Sequence, residues 1–283
     1  MIKMLLLNNQ PINYFKFPGG EIQIRLPDLI VEERATLTWK PTNCEDIILL
    51  MMAVNALKNA GFYDILLDCL YLPYARQDRV CSKGEALSLQ VICNLLDNLD
   101  FSYISFWDVH NEQKTFRYFE KTAVLNADRL DILKRFNLLE DFGCENLVIC
   151  APDAGALFQT QNLCIEFELP SPIYFRKTRN KKTGAIEVYD YQSGDRDLDQ
   201  SDILIIDDIC DGGRTFIEAA KILKDEASDI KLYLYVTHGI FSNGLDILLE
   251  HFEHIYCHHV LDDSRYQTNE KLTILRSFSD VRA

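Results

Sequence analysis

One segment of the chain decides its fold, namely Ile203-Leu204-Ile205-Ile206-Asp207-Asp208-Ile209-Cys210-Asp211-Gly212-Gly213-Arg214-Thr215. Its run of large aliphatic residues predicts a buried strand, and the two carboxylates are expected where that strand ends. A glycine-rich turn follows, and Thr215 is expected to cap a helix that begins at Phe216. A buried strand, a polar turn and a helix in this order indicate one repeat of a parallel α/β sheet.

The same alternation extends over the rest of the chain. Short apolar runs predict strands at residues 4–7, 65–70, 103–107, 147–150, 203–206, 232–236 and 255–260. Stretches with helical spacing predict helices at 46–59, 86–98, 128–138, 215–224 and 245–252. The pattern occurs twice, with the acidic segment Glu140-Asp141-Phe142-Gly143 between the two occurrences. We therefore predict two α/β domains in tandem, residues 1–143 and 144–283, each a mainly parallel sheet flanked by helices.

Composition excludes several classes of protein. The 283 residues include 29 Lys and Arg against 43 Asp and Glu, a net charge of −14, and 48% are hydrophobic. Such a hydrophobic fraction is typical of a globular protein and excludes a disordered chain. The acidic balance argues against a nucleic-acid partner, because a sequence-independent binder needs a basic face against phosphate.

The location of the protein is predicted from its apolar runs and its thiols. No run approaches the ~20 apolar residues that cross a membrane, and the segment 1–7 is too short for a signal peptide. The nine cysteines include no Cys-x-x-Cys pair, which is typical of reduced thiols. We therefore expect a cytoplasmic protein without a membrane partner.

The acidic segment also carries the first sign of a binding site. In open α/β sheets, ligands bind beyond the carboxyl ends of the strands. Backbone amides in a glycine-rich turn before a helix favour a phosphate. Asp207 and Asp208 are acceptors, suited to sugar hydroxyls or a divalent cation. The segment thus predicts a site for a phosphorylated sugar, with a plain acidic turn as the structural alternative.

The segment resembles the phosphoribosyl diphosphate loop of type I phosphoribosyltransferases and, more closely, of ribose-phosphate diphosphokinases. The family form is an aliphatic strand followed by Asp-Asp-x-x-Asp-Thr-Gly-Gly-Thr, and this chain departs from it at Gly212 and Arg214. The resemblance implies two type I phosphoribosyltransferase-like domains. It also implies that Asp207 and Asp208 orient the ribose hydroxyls, and that the pocket for the 5-phosphate comprises Asp211, Gly212, Gly213, Arg214 and Thr215.

Two earlier segments resemble the nucleotide-binding part of the synthetase family. The first is Pro73-Tyr74-Ala75-Arg76-Gln77-Asp78-Arg79, similar to the signature Tyr-Ala-Arg-Gln-Asp-Arg that binds ATP phosphates. Its two arginines suit a triphosphate, because arginine makes bidentate contacts to phosphate oxygens. The second is Phe17-Pro18-Gly19-Gly20-Glu21, similar to Phe-x-Asp-Gly-Glu, which meets the adenine from a neighbouring subunit. The ATP site is therefore expected to include Phe17, Glu21, Arg76, Gln77, Asp78, Arg79 and His110.

Four further motifs follow in family order. Asp108-Val109-His110-Asn111-Glu112-Gln113 resembles Asp-Leu-His-x-x-Gln, which implies that His110 helps to hold Mg-ATP. Pro152-Asp153-Ala154-Gly155 resembles Pro-Asp-x-Gly-Gly, which implies that Asp153 lies near the metal, with a helix-capping role equally open. Lys177-Thr178-Arg179 matches the Lys-x-Arg of the catalytic flexible loop, and the polar stretch 177–191 is expected to be that loop. Thr237-His238-Gly239-Ile240-Phe241-Ser242 resembles Thr-His-Pro-Ile-Phe-Ser.

The resemblance implies transfer of the β,γ-diphosphoryl group of ATP to the anomeric hydroxyl of ribose 5-phosphate, with Mg²⁺ as cofactor. Lys177 and Arg179 are the catalytic residues, and His110 and Asp153 the metal-side residues, of this hypothesis. It further implies homodimers or larger assemblies with a shared ATP site. The four histidines of residues 251–259 are expected to be structural, because they lack cysteine partners at zinc spacing.

Three alternatives remain open. The first is the same chemistry on ADP-ribose, as a step towards NAD, because Arg214 adds a cation for a second phosphate and Gly212 opens space. The second is a non-catalytic regulatory subunit, which the presence of Lys177 and His110 disfavours. The third is a phosphoribosyltransferase, which the arginine segment 76–79 and the two-domain length disfavour.

Overall fold

The computed structural model describes residues 5–27, 34–142, 146–179, 186–192, 196–262, 266 and 269–275. The chain forms two compact units, whose main segments meet between Asp128 and Arg129. The predicted domain boundary after residue 143 stays a prediction, since the units are defined by contacts alone. In the described part of the chain, no helix combines the length and the apolar character that crossing a membrane requires.

The first unit is built on a six-stranded sheet in the order β2-β1-β5-β6-β7-β8. Strands β5 to β8 run parallel, whereas β1 is antiparallel to both β2 and β5. Strands β3 and β4 form a separate hairpin. The strands are β1 (Leu5–Leu7), β2 (Gln10–Pro11), β3 (Asn13–Lys16), β4 (Ile22–Arg25), β5 (Ala35–Trp39), β6 (Ile65–Cys69), β7 (Tyr103–Trp107) and β8 (Ala123–Ala127), and the helices are α1 (Glu45–Asn59), α2 (Ser88–Asp97) and α3 (Glu112–Phe116).

The second unit is built on a seven-stranded sheet in the order β11-β10-β9-β12-β13-β14-β15. All neighbouring strands run parallel except β11, which is antiparallel to β10. A 3₁₀ turn spans Leu138–Asp141. The strands are β9 (Leu147–Ala151), β10 (Ile173–Arg179), β11 (Ile186–Gln192), β12 (Asp202–Cys210), β13 (Lys231–Gly239), β14 (His254–Val260) and β15 (Leu272–Ile274), and the helices are α4 (Arg129–Arg135), α5 (Ala154–Glu166), α6 (Arg214–Glu226) and α7 (Asp246–Leu249).

The core of each unit explains why these residues form strands and helices. In the second unit, Val148, Ile203 and Leu232 are neighbours by register across three parallel strands, and all three are buried. Helix α6 covers this part of the sheet with Phe216, Ala219 and Leu223, which recur at helical spacing. Burial of apolar area stabilises such layers by ~25 cal/mol per Å². The predicted α/β fold with two mainly parallel sheets is confirmed.

Three local predictions were wrong. Residues 177–179 end strand β10 and residues 186–192 form strand β11, so much of the expected loop at 177–191 is an antiparallel pair. Its remaining part, residues 180–185, lies outside the described residues. Strand β12 does not end before its carboxylates but continues to Cys210, because β13 pairs with it that far. Helix α6 begins at Arg214 with Gly213 as its N-cap, so Thr215 lies within its first turn and does not cap it.

The carboxyl end of β13 is packed too tightly for a larger residue than glycine. A β-carbon on Gly239 would lie 2.1 Å from Cε2 of Phe241 and 2.9 Å from Sγ of Cys257. Both of those side chains are fully buried, so neither can move into solvent.

Replacing Gly239 with alanine is therefore expected to lower the free energy of unfolding by about 1–3 kcal/mol, because overpacking forces core side chains aside. Urea unfolding and hydrogen exchange of the β13 and β14 amides would measure this loss. Gly19→Ala is the control, since its β-carbon would meet nothing within 4 Å. Equal stability of the two variants would contradict the packing argument.

Candidate active site

The candidate site lies at the carboxyl ends of the strands of the second sheet. It is at the point where successive strands are added on opposite sides of β9. Strand β9 has β10 on one side and β12 on the other, which makes the β9–β12 gap the point where α/β proteins bind ligands. Pairing of β12 with β9 ends at Ile205 and Cys150, whereas its pairing with β13 continues to Cys210 and Gly239. Asp207 and Asp208 therefore lie on β12 beyond the last residue pair that it forms with β9.

The side chain of Asp207 is in an environment that disfavours a charged carboxylate. Its side chain is 17% exposed. Burial raises the pKa of Asp207 well above its usual range, and the charges of Asp208 and Asp153 raise it further. The guanidinium of Arg129, whose Nη2 lies 3.9 Å from Oδ1 of Asp207, acts in the opposite direction. This excess of negative charge is relieved by a ligand that donates hydrogen bonds or carries positive charge.

The turn after β12 presents backbone rather than side chains to a ligand. Gly213 has a φ of +78°, in the left-handed region, and it is the N-cap of α6 without a side-chain capping bond. A β-carbon on Gly213 would lie 2.9 Å from Cδ2 of Leu248. Glycine is therefore required both by conformation and by space. The first amides of α6 form the kind of helix N-terminus at which phosphates bind.

The loop after β13 fixes this turn. The amide of Ser242 donates to the carbonyl of Asp211 at 3.1 Å, and Nδ2 of Asn243 donates to the carbonyl of Gly212 at 3.0 Å. A β-carbon on Gly212 would lie 2.9 Å from that same Nδ2. The expectation that Gly212 opens space in the pocket was wrong, because the side chain of Asn243 occupies that space.

Arg214 and Thr215 are the first two residues of α6. The Arg214 side chain is 82% exposed, and its Nε donates to Oε1 of Glu218 one turn later at 2.7 Å. Arg214 thus places a cation at the solvent side of the turn, outside the glycine bend itself.

Asp153 follows strand β9 and caps helix α5. Its Oδ1 accepts hydrogen bonds from the amides of Gly155 at 2.9 Å and Ala156 at 3.2 Å. The capping role is therefore confirmed, and the charge of Asp153 also acts on Asp207. Lys177 and Arg179 lie near the end of β10, and their side chains fall outside the described atoms.

In the first unit, the predicted nucleotide segment follows strand β6. Arg76, Gln77 and Arg79 are exposed, and they line a cavity of about 450 Å³ together with Cys81, Glu85, Ala86 and Ser88. Oε2 of Glu85 accepts hydrogen bonds from the amides of Ser82 and Cys81, and these bonds lower the pKa of Glu85. Two arginines in one concave surface suit an anionic ligand.

His110 follows the neighbouring strand β7, at the same edge of the first sheet. It is exposed and directly precedes Asn111, the N-cap of α3. Since β6 and β7 are adjacent and parallel, the arginine segment and His110 leave the sheet at the same edge. Asp78 joins the two segments, because it accepts a hydrogen bond from Nζ of Lys114 in α3 at 2.8 Å.

Phe17 and Glu21 close the β3–β4 hairpin. The amide of Phe17 donates to the carbonyl of Glu21 at 2.7 Å. The ring of Phe17 is 46% exposed and meets Phe15 edge to face at a centroid distance of 5.1 Å. The hairpin therefore presents aromatic surface to solvent.

The described part of the chain offers carboxylate donors of the kind that magnesium prefers. No group of three or more His, Cys, Asp or Glu side chains in the described ranges is placed to hold a metal by itself. Magnesium commonly uses one or two protein carboxylates together with phosphate oxygens and water. The carboxylates at the β9–β12 gap supply that donor chemistry, so the residues fit such an ion.

Three residues that contact the predicted site residues could not be predicted from the sequence motifs. Arg129, Lys114 and Asn243 lie outside the motifs quoted above, and each contacts a motif residue through the fold. Such contacts join residues far apart in the chain, so motif matching alone cannot find them.

Comparison with known proteins places these features in one family. A model of the phosphoribosyl transferase domain matches residues 132–240, and a model of the N-terminal domain of ribose phosphate pyrophosphokinase matches residues 1–99. The crystal structure of phosphoribosylpyrophosphate synthetase from Mycobacterium smegmatis has a TM-score of 0.76 at 20% identity, over 93% of this chain and 85% of that chain. At this identity the likeness shows the fold alone.

Sequence relatives carry the assignment further. The ribose-phosphate pyrophosphokinase of Thermococcus kodakarensis is 31% identical over 232 residues, or 81% of this chain and 78% of that protein. The ribose-phosphate pyrophosphokinase of Pyrococcus abyssi is 31% identical over 231 residues, or 81% of this chain and 76% of that protein. With both domain models matched in order, the chain belongs to the ribose-phosphate pyrophosphokinase family of enzymes.

Proposed function

We propose that the chain transfers the β,γ-diphosphoryl group of ATP to the anomeric hydroxyl of ribose 5-phosphate. The hydroxyl oxygen bonds to the β-phosphorus, the bond from that phosphorus to the oxygen shared with the α-phosphate breaks, and AMP leaves with that oxygen. The observation that carries the proposal is the pair Asp207 and Asp208 beside a glycine turn and a helix N-terminus, at the β9–β12 gap.

The second unit is proposed to bind the acceptor. Asp207 and Asp208 accept hydrogen bonds from the ribose hydroxyls, which relieves the unfavourable charge on Asp207. The 5-phosphate binds at the turn and the first amides of α6, from Asp211 to Thr215. Holding the pentose at both ends fixes the anomeric oxygen, and positioning supplies much of the catalysis in phosphoryl transfer.

The first unit is proposed to bind the donor. Arg76 and Arg79 contact the phosphates of ATP in the 450 Å³ cavity, and Gln77 and Asp78 complete that segment. Phe17 and Glu21 meet the adenine across a subunit boundary in a homodimer or larger assembly. The relatives named above are ribose-phosphate pyrophosphokinases, which supports ATP and ribose 5-phosphate as the substrate pair.

Magnesium, when bound, would neutralise charge on the donor phosphates. His110 and Asp153 are the residues proposed on the metal side. Lys177 and Arg179 are proposed to stabilise the charge that develops on the transferred phosphoryl group. Cytoplasmic location and the oligomeric state stay predictions.

A direct assay tests this function. Purified protein with Mg-ATP and ribose 5-phosphate is expected to release AMP and to form a product heavier than the acceptor by one diphosphoryl group, as measured by mass spectrometry. ADP as the sole nucleotide product would contradict diphosphoryl transfer.

ADP-ribose is a second candidate acceptor, and one observation favours it. The exposed guanidinium of Arg214 lies at the start of α6, next to the proposed 5-phosphate pocket. A 5′-diphosphoryl ribose carries its second phosphate just outside such a pocket, where an arginine can bind it. The product would be ADP-ribose 1-diphosphate, an activated precursor for NAD synthesis.

Replacing Lys177 with alanine is expected to lower kcat by about 100-fold or more, because an interaction made in the transition state is lost. The KM values for both substrates should change by less than about threefold. Initial-rate measurements of AMP release would check this. Lys231→Ala is the control, since Lys231 is the first residue of β13 and lies at the amino ends of the strands, away from the candidate site. A rise in KM at unchanged kcat would remove Lys177 from the catalytic step.

Replacing Asp207 with asparagine is expected to abolish turnover and to stabilise the folded protein by about 1 kcal/mol at pH 7.5, as when strain at a functional site is removed. The pKa of Asp207 is raised on folding, so its ionisation destabilises the folded state as pH rises from about 4, the unfolded value, through the folded value.

Denaturant unfolding from pH 4 to pH 8 would measure this gain, which should shrink towards pH 4. Asp225→Asn on the exposed side of α6 is the control. A variant less stable than wild type at pH 7.5 would show that the Asp207 carboxylate is structural.

Replacing Arg214 with glutamine distinguishes the two acceptors. If ADP-ribose is the substrate, its KM should rise about tenfold or more, because a charged hydrogen bond to phosphate is lost. The KM for ribose 5-phosphate should change little. Lys221→Gln, on the exposed face of the same helix, is the matched control. Equal effects of R214Q on both acceptors would exclude a role for Arg214 in choosing between them.

A further inference from the structure

The arginine segment of the first unit contains a carboxylate, Asp78, that is held by Lys114, which lies outside every motif of the sequence, and by Asn111 of the His110 motif. Asp78 lies between Gln77 and Arg79, and its side chain is 12% exposed. Oδ2 of Asp78 accepts a hydrogen bond from Nζ of Lys114 at 2.8 Å. Nδ2 of Asn111 lies 3.5 Å from the same oxygen.

A carboxylate at this position conflicts with the proposed ligand. Arg76 and Arg79 present positive charge to the cavity, whereas an unpaired Asp78 would repel a triphosphate bound beside it. Ion pairs at the surface contribute little to stability, but a charge with 12% exposure is screened less by water. Lys114 brings its own charge to 2.8 Å and cancels that repulsion.

The same contact links two segments of the site. Asn111 directly follows His110 and caps α3, where its Oδ1 accepts the amide hydrogen bond of Lys114 at 3.0 Å. Asn111 and Lys114 therefore hold Asp78 from one short helix. Through them the arginine segment after β6 is tied to the histidine segment after β7.

We propose that Lys114 is a positioning residue for nucleotide binding, which neutralises Asp78 and fixes the arginine segment against the segment that carries His110. The inference rests on the proposed function, in which this cavity holds ATP. In this role Asp78 acts through the loop and its charge, while the arginines contact the phosphates.

The first unit contains a matched ion pair without this role. Nζ of Lys58 lies 2.8 Å from Oδ2 of Asp100, with the lysine 29% exposed, close to the 37% of Lys114. Lys58 lies in the last turn of α1 and Asp100 precedes β7, so this pair is at the amino edge of the sheet. Lys58→Met therefore removes an ion pair of the same length, with its Asp100 68% exposed, at the end of the sheet opposite the cavity.

The test compares four proteins: wild type, Lys114→Met, Asp78→Asn and the double variant, with Lys58→Met as the control. Calorimetric titration with magnesium α,β-methylene-ATP, an analogue that cannot transfer its diphosphoryl group, measures the dissociation constant. K114M is expected to raise that constant about tenfold, since the charge of Asp78 is left uncompensated. Asp78→Asn provides the reference for the double variant, because it lacks the charge that Lys114 is proposed to neutralise.

The double variant shows whether Lys114 acts by neutralising the charge of Asp78 or by supporting the local structure. If Lys114 acts by neutralising Asp78, adding K114M to the Asp78→Asn variant should change its dissociation constant by less than about threefold. K58M should bind as wild type does. A loss of binding on adding K114M to Asp78→Asn that equals the loss in wild type would overturn the proposal, as would wild-type binding by K114M.

The two hypotheses fail in different ways. If wild type binds the analogue but forms no AMP from ATP and ribose 5-phosphate, the proposed function fails while the role of Lys114 in nucleotide binding stands. If wild type forms AMP and K114M binds the analogue normally, the role of Lys114 fails alone. If wild type neither binds the analogue nor forms AMP, both are overturned.

Discussion

The candidate site of the second unit is constrained by the burial of Asp207, which disfavours the charged form of its carboxylate. Asp207 lies on a strand that continues past its neighbour β9, and its environment raises its pKa. Arg129 opposes that shift from 3.9 Å, with its own side chain 5% exposed. A buried strand would be more stable with an apolar residue at position 207. The fold accepts this cost at the point where parallel sheets leave a gap for a ligand.

The two units place their predicted site residues in the same position relative to the sheet, but these residues carry opposite charges. In each unit, the predicted site residues lie at the carboxyl ends of adjacent parallel strands, which brings segments distant in sequence to the same end of the sheet. The edge of the first unit carries exposed arginines, whereas that of the second carries aspartates and a glycine turn. The net charge of −14 therefore says nothing about either edge. Local charge, set by which residues follow each strand, determines what each edge attracts.

Sequence patterns predicted the strands and the motifs of the chain better than they predicted which side chains contact each other. Strand β7 was predicted at its observed bounds, because its apolar run is short and bounded by polar residues. Helix α5 was missed because Phe158 and Ile165 on its exposed side hide the helical period, with 70% and 76% exposure. Residues 186–191 are rich in β-branched and aromatic side chains, namely Ile186, Val188, Tyr189 and Tyr191, a strand signal that the polar segment before them obscured. Lys114 was not predictable, since it contacts Asp78 across 36 residues of sequence.

This chain departs from the family loop at Gly212 and Arg214. Only the departure at Arg214 changes the surface around the loop. Glycine at position 212 gives no extra room, because a β-carbon there would lie 2.9 Å from Nδ2 of Asn243, which donates to the carbonyl of Gly212. Gly213 keeps the left-handed turn that exposes the amides of α6. The difference is thus concentrated in Arg214, which is exposed and held by Glu218 at 2.7 Å. A cation at the rim of a phosphate pocket can bind a group that is attached to that phosphate. Under the proposed function, acceptor choice would depend on this side chain at the start of α6 rather than on the volume of the pocket.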